Sequence, residues 1–161
     1  MTYNIKAFKP NPRGKHKQGY FHLVEGTKFR GTPPCIFRSS WEKRFCEYCE
    51  RSPDILWWSS EAFPIRYFNP RDGKYHEYFP DFIMRTRDGT IIIAEIKPKF
   101  QLAPPKRPRR KDAAALRRFQ RDYETYEVNM LKMAAAKALA AAKGARYLLV
   151  TEDFFKPTLQ S

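Results

Sequence analysis

The spacing of apolar residues first predicts a helix over residues 40–51. Trp41, Phe45 and Tyr48 recur there at helical intervals. Ser39 or Ser40 can cap the start of this helix. The Ser-Pro pair at 52–53 ends it, because the residue before a proline avoids the helical conformation.

Downstream, the apolar residues are spaced as in β-strands. Residues 55–58 and 63–68 are short apolar and aromatic stretches that predict two strands. Residues 75–85 and 90–97 flank Asp88-Gly89, a pair typical of tight hairpin turns. We therefore expect these two segments to pair as antiparallel strands.

The C-terminal half predicts a long helix followed by a buried strand. Residues 112–143 are rich in Ala, Leu, Arg and Glu, with Asp112 as a plausible N-cap and Gly144 as a stop signal. Residues 145–151 are largely apolar and predict a strand. A helix leading into such a strand is typical of a crossover that returns beside the hairpin. The predicted fold is one α/β domain with a small mixed β-sheet flanked by helices.

Composition divides the 161 residues into three parts. Residues 1–35 are basic, rich in Pro and Gly and weakly patterned, which predicts an extended N-terminal arm. Residues 36–153 form the expected domain, and residues 154–161 form a C-terminal tail. No apolar run reaches the length of a membrane span, and the basic N-terminus does not resemble a secretory signal. We expect a protein that is neither membrane-bound nor secreted.

The charge balance favours a polyanionic partner. Lysine and arginine total 31 against 17 acidic residues, a formal net charge of +14. Neutralising phosphates is the usual reason for such an excess, although a basic structural protein would also carry it. The three cysteines Cys35, Cys46 and Cys49 are an odd number, and they are more simply explained as core residues than as zinc ligands.

Two carboxylates, Asp81 and Glu95, lie among apolar neighbours on the two predicted hairpin strands. Burying such charges unpaired would cost several kcal/mol, so a divalent cation is their natural partner. Lys97 is two residues from Glu95 and leaves the same face of the strand, where it can stabilise a reacting phosphate. Taken singly, Asp81 could instead cap a turn, and Lys97 could face solvent.

The hairpin register decides whether this site can form. A strict two-residue turn at Asp88-Gly89 would pair Asp81 with Ile96 and place Asp81 and Glu95 on opposite faces. The site therefore requires either an odd-length loop or a β-bulge near Pro80.

Pro80-Asp81 followed by Glu95-Ile96-Lys97 resembles the signature of the PD-(D/E)xK nuclease superfamily. The matching segments are residues 38–43, 58–61, 78–81, 95–99, 126–129 and 149–153. Together they look like the head completion nucleases of T-even-like tailed phages. The chain also resembles, more distantly, the transposase subunits that nick transposon ends.

This resemblance implies a restriction-endonuclease-like core and a Mg²⁺-dependent reaction, with Mn²⁺ as an alternative ion. It implies that Asp81 and Glu95 bind the metal, with Ile96 as a further metal-binding position. Lys97 would be the catalytic lysine and Glu42 a helix-borne catalytic acid. Glu42 also stands three residues after Ser39, which is the spacing of a helix-capping box.

The resemblance also implies DNA and phage head or neck proteins as partners, and no small-molecule cofactor. Such a protein would act in the host cytoplasm during assembly, with the virion as a second location. The alternatives are a non-catalytic DNA-end-binding connector, a transposon-end nicking subunit and a basic RNA-binding protein.

Basic residues after the signature are candidate nucleic-acid contacts, because they are dense in and beyond a proline-rich loop. The alternative, which this density makes the less favoured one, is an ordinary solvated face. They are Lys99, Lys106, Arg107, Arg109, Arg110, Arg117, Arg118 and Arg121.

Overall fold

The computed structural model of the chain describes residues 17–157. They form eight strands, two α-helices and two short 3₁₀ turns. The strands are β1 (Gly19–Phe21), β2 (Cys35–Phe37), β3 (Ile55–Ser60), β4 (Ile65–Asn69), β5 (Lys74–Tyr78), β6 (Phe82–Thr86), β7 (Ile91–Ile96) and β8 (Arg146–Val150). The helices are α1 (Ser40–Arg51) and α2 (Ala113–Ala142), and the 3₁₀ turns are Lys99–Leu102 and Glu152–Phe155.

A four-stranded mixed sheet organises the molecule. Its strand order is β3-β6-β7-β8. Strand β6 runs antiparallel to both β3 and β7, and β8 runs parallel to β7. The parallel pair requires a long crossover, and α2 supplies it. The predicted fold class, a small mixed β-sheet flanked by helices in one α/β domain, is confirmed. No helix within residues 17–157 has the length and apolar character needed to cross a bilayer.

Both helices have the predicted starts. In α1, the Glu42 amide donates to Ser39 Oγ at 3.1 Å. In α2, the Ala115 amide donates to Asp112 Oδ1 at 2.9 Å. Each cap satisfies one of the amides that a helix start leaves without an intrahelical partner.

The β6–β7 hairpin has an odd-length loop, which is one of the two arrangements that the site requires. Phe82 lies opposite Ala94 and Arg85 opposite Ile91. Thr86 N donates to Thr90 O at 3.0 Å, so three residues connect the pair. Gly89 ends this loop at φ +88°, a conformation that favours glycine.

The segment predicted as one strand over 75–85 is two strands in different sheets. Strand β5 pairs with β4 in a separate hairpin, and β6 belongs to the central sheet. The break includes Pro80, which has no N–H to donate to a ladder. The chain therefore changes sheet just before Asp81.

One face of the central sheet packs on α1 through an apolar core. Phe45, Cys46 and Cys49 of α1 are fully buried there, together with Phe82 and Trp58 of the sheet. The third cysteine, Cys35, is also buried, and all three are free thiols. The prediction that the cysteines are core residues is confirmed.

The predicted N-terminal arm needs correction over its second half, while residues 1–16 lie outside the described residues. Strands β1 and β2 pair with each other, and Phe29 bridges to Trp58 at the edge of the sheet. The Phe29 ring is 8% exposed and lies 4.9 Å from the Trp58 ring. Apolar burial thus holds residues 17–35 against the domain rather than in an extended arm.

The predicted C-terminal tail, residues 154–161, also begins inside the packed structure, and residues 158–161 lie outside the described residues. The ring of Phe154 lies 5.6 Å from that of Phe45, and the ring of Phe155 lies 6.4 Å from that of Trp41. Aromatic packing on α1 therefore extends the domain beyond residue 153.

Truncating Phe29 tests whether residues 17–35 belong to the folded domain. We expect Phe29→Ala to lower the free energy of unfolding by about 3 kcal/mol, because it leaves a cavity beside Trp58. Val24→Ala is the control, since Val24 is 58% exposed. Urea unfolding measures both, and equal stabilities of the two variants would contradict the packing described here.

Candidate active site

Glu95 is a buried carboxylate in the interior strand β7. Its side chain is 2% exposed. Oε1 of Glu95 lies 2.6 Å from the Tyr78 hydroxyl, which also lies 2.9 Å from the carbonyl oxygen of Lys132. A tyrosine has one proton to donate, so these two acceptors share it. Among the described residues, no lysine, arginine or histidine forms an ion pair with Glu95.

Asp81 lies immediately before β6, and the register carried back from Phe82 places it opposite Glu95. Residues directly opposite in an antiparallel pair share a face of the sheet. Asp81 Oδ2 accepts a hydrogen bond from the Ile96 amide at 2.8 Å. The two carboxylates therefore lie side by side at the end of the hairpin, as the odd-length loop requires.

Burial raises the pKa of Asp81 to about 7, and the negative charge of Glu42 adds to this shift. The Ile96 amide and the charge of Lys97 act in the opposite direction, and Glu95 raises the pKa further. The charges of the other three predicted catalytic residues therefore all act on the pKa of Asp81.

Glu42 combines the two interpretations that its position left open. Its amide donates to Ser39 Oγ, and its carboxylate accepts a hydrogen bond from the Arg38 amide at 2.7 Å. Burial raises the pKa of Glu42, the Arg38 amide opposes that shift, and the charge of Glu61 adds to it. The residue both stabilises the start of α1 and brings a negative charge to Asp81.

Lys97 follows β7 and is half-buried. Its amide donates to Val150 O at 2.9 Å, which extends the β7–β8 pairing by one residue. Because successive side chains of a strand alternate, Lys97 and Glu95 leave the same face. The lysine is thus held beside the carboxylates by the backbone on which it stands.

Ile96 contributes to this cluster only through its backbone. Its side chain is 9% exposed and packs in the apolar core on the α1 side of the sheet. Its amide orients Asp81. The predicted role of Ile96 as a metal-binding position can therefore involve only its backbone carbonyl.

Two residues of α2 and β8 reach this cluster although sequence patterns did not identify them. Nζ of Lys132 lies 5.5 Å from the centre of the Tyr78 ring. Burial lowers the pKa of Lys132, and so does the charge of Lys97, while Glu95 and Asp81 oppose the shift. The Tyr147 hydroxyl is buried and has no hydrogen-bond partner among the described residues.

Glu61 lies at the edge of this cluster. Its amide donates to Asp81 O at 3.2 Å, and its carboxylate forms an ion pair with Arg38 at 2.6 Å. Its backbone has φ 44°, a left-handed conformation that is strained for a residue with a side chain. Glu61 therefore helps to position both Asp81 and Arg38.

The candidate nucleic-acid contacts are exposed and only partly gathered. A groove between residues 105–110 and the start of α2 is lined by four basic residues and two acidic ones: Lys106, Arg109, Arg110 and Arg118, with Asp112 and Asp122. Arg107, Arg117 and Arg121 do not line that groove. Lys99 forms an ion pair with Asp153. The groove gives a basic surface next to the proline-rich loop, and DNA contact by these eight residues stays a prediction.

The carboxylates fit a cation that needs few protein ligands. No three His, Cys, Asp or Glu side chains among the described residues gather closely enough to hold one ion. Asp81 Oδ1 and Glu95 Oε2 accept no hydrogen bond from the described residues, so both can serve as ligands. Mg²⁺ typically takes one or two carboxylates and keeps several waters.

Paired carboxylates and a lysine on neighbouring strands of a mixed sheet, flanked by helices, define a nuclease with a restriction-endonuclease-like fold. Comparisons with known proteins agree. Residues 52–152 match the family model described as TnsA-like endonuclease N terminal. Over 128 residues the chain is 40% identical to the head completion nuclease of Enterobacteria phage T4, which covers 79% of this chain and 85% of that protein. The chain belongs to the TnsA-like endonuclease family and is a nuclease related to the T4 protein.

Neutralising Asp81 should stabilise the metal-free protein at high pH. The pKa of Asp81 is raised from 3.8 to about 7 by folding, so ionising it costs folding free energy that appears as the pH rises between these values. Asp81→Asn removes this cost and keeps an oxygen for the Ile96 amide. Because Asp81 keeps part of its surface in solvent, we expect a gain on the order of 1–3 kcal/mol.

Unfolding in EDTA at pH 8 and at pH 4 measures this effect. The gain should be complete at pH 8 and much smaller at pH 4, where Asp81 binds the proton in the folded state and about half of the time in the unfolded state. Glu77→Gln is the control, because Glu77 is an exposed carboxylate on β5. A variant no more stable than the wild type at pH 8 would show that Asp81 is not destabilised by burial.

Proposed function

We propose that this protein hydrolyses phosphodiester bonds of DNA with Mg²⁺ as its cofactor, and that Mn²⁺ can replace Mg²⁺. The burial of Glu95 beside Asp81, without an ion pair to any described cationic residue, is the observation that carries this proposal. A buried carboxylate that lacks a cationic partner is costly unless a cation binds to it.

Asp81 and Glu95 would hold the ion, with the backbone of Ile96 as a further position. When bound, a divalent ion supplies positive charge that activates water and neutralises the phosphate. The chain orients both ligands beforehand, since Tyr78 holds Glu95 and the Ile96 amide holds Asp81. The Tyr147 hydroxyl, which has no hydrogen-bond partner among the described residues, supports the fit because it can donate to a water of the hydrated ion. Burial raises its pKa most, and the charges of Glu95 and Asp81 raise it further.

Lys97 and Glu42 complete the proposed machinery. Lys97 shares a face with Glu95, where its ammonium can orient the attacking water and stabilise the charge that develops on the scissile phosphate. Glu42 would be the additional acidic residue that α1 brings to Asp81. Water attacks the phosphorus in line, and the bond to the leaving oxygen breaks.

The substrate would be guided mainly by charge. The chain carries a formal net charge of +14, and the groove beside α2 presents Lys106, Arg109, Arg110 and Arg118. Contacts of this kind read the phosphate backbone rather than the bases. We therefore expect recognition of DNA structure or DNA ends, with affinity that falls steeply as salt rises.

We propose that the biological role is to process packaged DNA when a phage head is completed for tail joining. The support is the relative named head completion nuclease, which aligns with this chain over 85% of its own length. Head or neck proteins would be the partners, in the host cytoplasm during assembly and then in the virion. The match to the TnsA-like endonuclease family favours a second candidate, a transposon-end nicking subunit.

Cleavage of linear and supercoiled DNA tests the proposed chemistry. We expect the purified protein to cut with Mg²⁺ and not with EDTA. Glu95→Gln and Lys97→Met should each lower the rate by roughly 100-fold or more, because a ligand or a charge at the reacting phosphate is lost. The matched control is again Glu77→Gln, which should cut like the wild type.

The two substrates also separate endonuclease from exonuclease action. An endonuclease nicks or linearises the supercoiled circle, whereas an exonuclease degrades only the linear DNA. Full activity of Glu95→Gln in a folded sample would rule out the proposed site. A folded wild type that binds DNA and never cuts would instead favour a non-catalytic DNA-end-binding connector.

A further inference from the structure

Lys132 is tied to the carboxylate cluster by its backbone. The Tyr78 hydroxyl lies 2.9 Å from the carbonyl oxygen of Lys132 and 2.6 Å from Glu95 Oε1. One hydroxyl thus joins the middle of α2 to the buried carboxylate of β7. Lys132 is therefore held beside the candidate active site even though it is 35 residues beyond Lys97 in the sequence.

The ammonium of Lys132 lies beside two aromatic rings of the β4–β5 hairpin. Its Nζ is 5.5 Å from the centre of the Tyr78 ring and 5.9 Å from that of Tyr67. Both tyrosines lie on the same face of the hairpin, because Tyr78 is opposite Ile65 and Ile65 is two residues from Tyr67. This face packs toward α2, where the Tyr78 hydroxyl meets the Lys132 carbonyl. The two rings therefore offer cation–π contact on one side of the ammonium.

This ammonium lacks the polar partners that it needs. An ammonium has three N–H donors, yet Nζ of Lys132 has no hydrogen bond and no carboxylate within 4 Å among the described residues. Some other basic residues do have such partners: Arg71 pairs with Glu127 and Lys99 with Asp153. A half-buried cation that forms no ion pair with the described residues is available to an anionic ligand.

The charges around Lys132 specify the sign of that ligand. Asp81 and Glu95 raise its pKa, and Lys97 lowers it, so all three lie within electrostatic range. With Glu42, the cluster holds three carboxylates and two ammonium groups, so its net charge is −1 when all five groups are ionised. A divalent cation makes the same cluster one charge positive, and an anion then becomes favourable beside Lys132.

We propose that Lys132 is a substrate-binding residue that contacts a phosphate group of the DNA strand in the active site, opposite Lys97. This inference rests on the proposed function, since it assigns the anion as the DNA backbone. Lys132 holds a non-bridging oxygen of the phosphate, while Tyr67 and Tyr78 keep the ammonium in place. The alternative is that Lys132 only packs α2 on the hairpin, and the test must distinguish this role from a phosphate contact.

The salt dependence of DNA binding tests the contact independently of catalysis. Binding of a linear duplex is measured over a series of salt concentrations, with Ca²⁺ in place of Mg²⁺. A lost phosphate contact reduces the slope of log K against log salt by about 0.9. Lys132→Met keeps the aliphatic stem on the tyrosines and should show this reduction, whereas Lys132→Arg should keep the wild-type slope.

Lys143→Met is the matched control. Lys143 is an exposed lysine at the end of the same helix, about 16 Å farther along the axis at 1.5 Å per residue. This control should keep both the slope and the cleavage rate of the wild type. Thermal unfolding checks that each variant is folded, and Lys132→Gln replaces the methionine variant if that one does not fold.

The outcomes separate this inference from the proposed function. A folded Lys132→Met variant with the wild-type slope would overturn the contact, whether or not the wild type cuts DNA. A reduced slope together with no Mg²⁺-dependent cutting by the wild type would support the contact and overturn the proposed hydrolysis. A reduced slope and an activity loss of roughly 10-fold or more, with cutting by the wild type intact, would support both.

Discussion

The burial of Glu95 is the constraint to which the surrounding structure responds. A carboxylate that is 2% exposed between two paired strands loses most of its hydration, and one shared hydrogen bond from Tyr78 restores only part of it. Asp81 is held beside it, so the two charges oppose each other. Such an arrangement is unfavourable without a cation and would become favourable with one, which is why we propose that the chemistry takes place here.

The fold converts this local constraint into a defined geometry. The odd-length loop of the β6–β7 hairpin puts Asp81 and Glu95 on one face, and the break at Pro80 lets β5 leave the sheet just before Asp81. That departure carries Tyr78 to Glu95 and to α2. Helix α1 brings Glu42 through the same capping interaction that starts the helix.

Sequence patterns predicted the parts of this arrangement that depend on local spacing. The capped helix α1, the hairpin, the crossover helix and the pairing of Glu95 with Lys97 all follow from periods and turn residues within short windows. Lys132 could not be found in this way, because its link to Tyr78 spans 54 residues and depends on how α2 packs. The packing of Phe29 on Trp58 was also missed, since a proline- and glycine-rich composition hides a single buried aromatic ring.

Titration calorimetry of Mn²⁺ binding in the absence of DNA tests the central claim that Asp81 and Glu95 form a cation site. We predict saturable binding by the wild type and a loss of affinity of at least about 10-fold in Glu95→Gln, with Glu77→Gln unchanged. The folded state of each variant is checked by its unfolding curve in EDTA. Equal Mn²⁺ affinity of the wild type and Glu95→Gln would contradict the account.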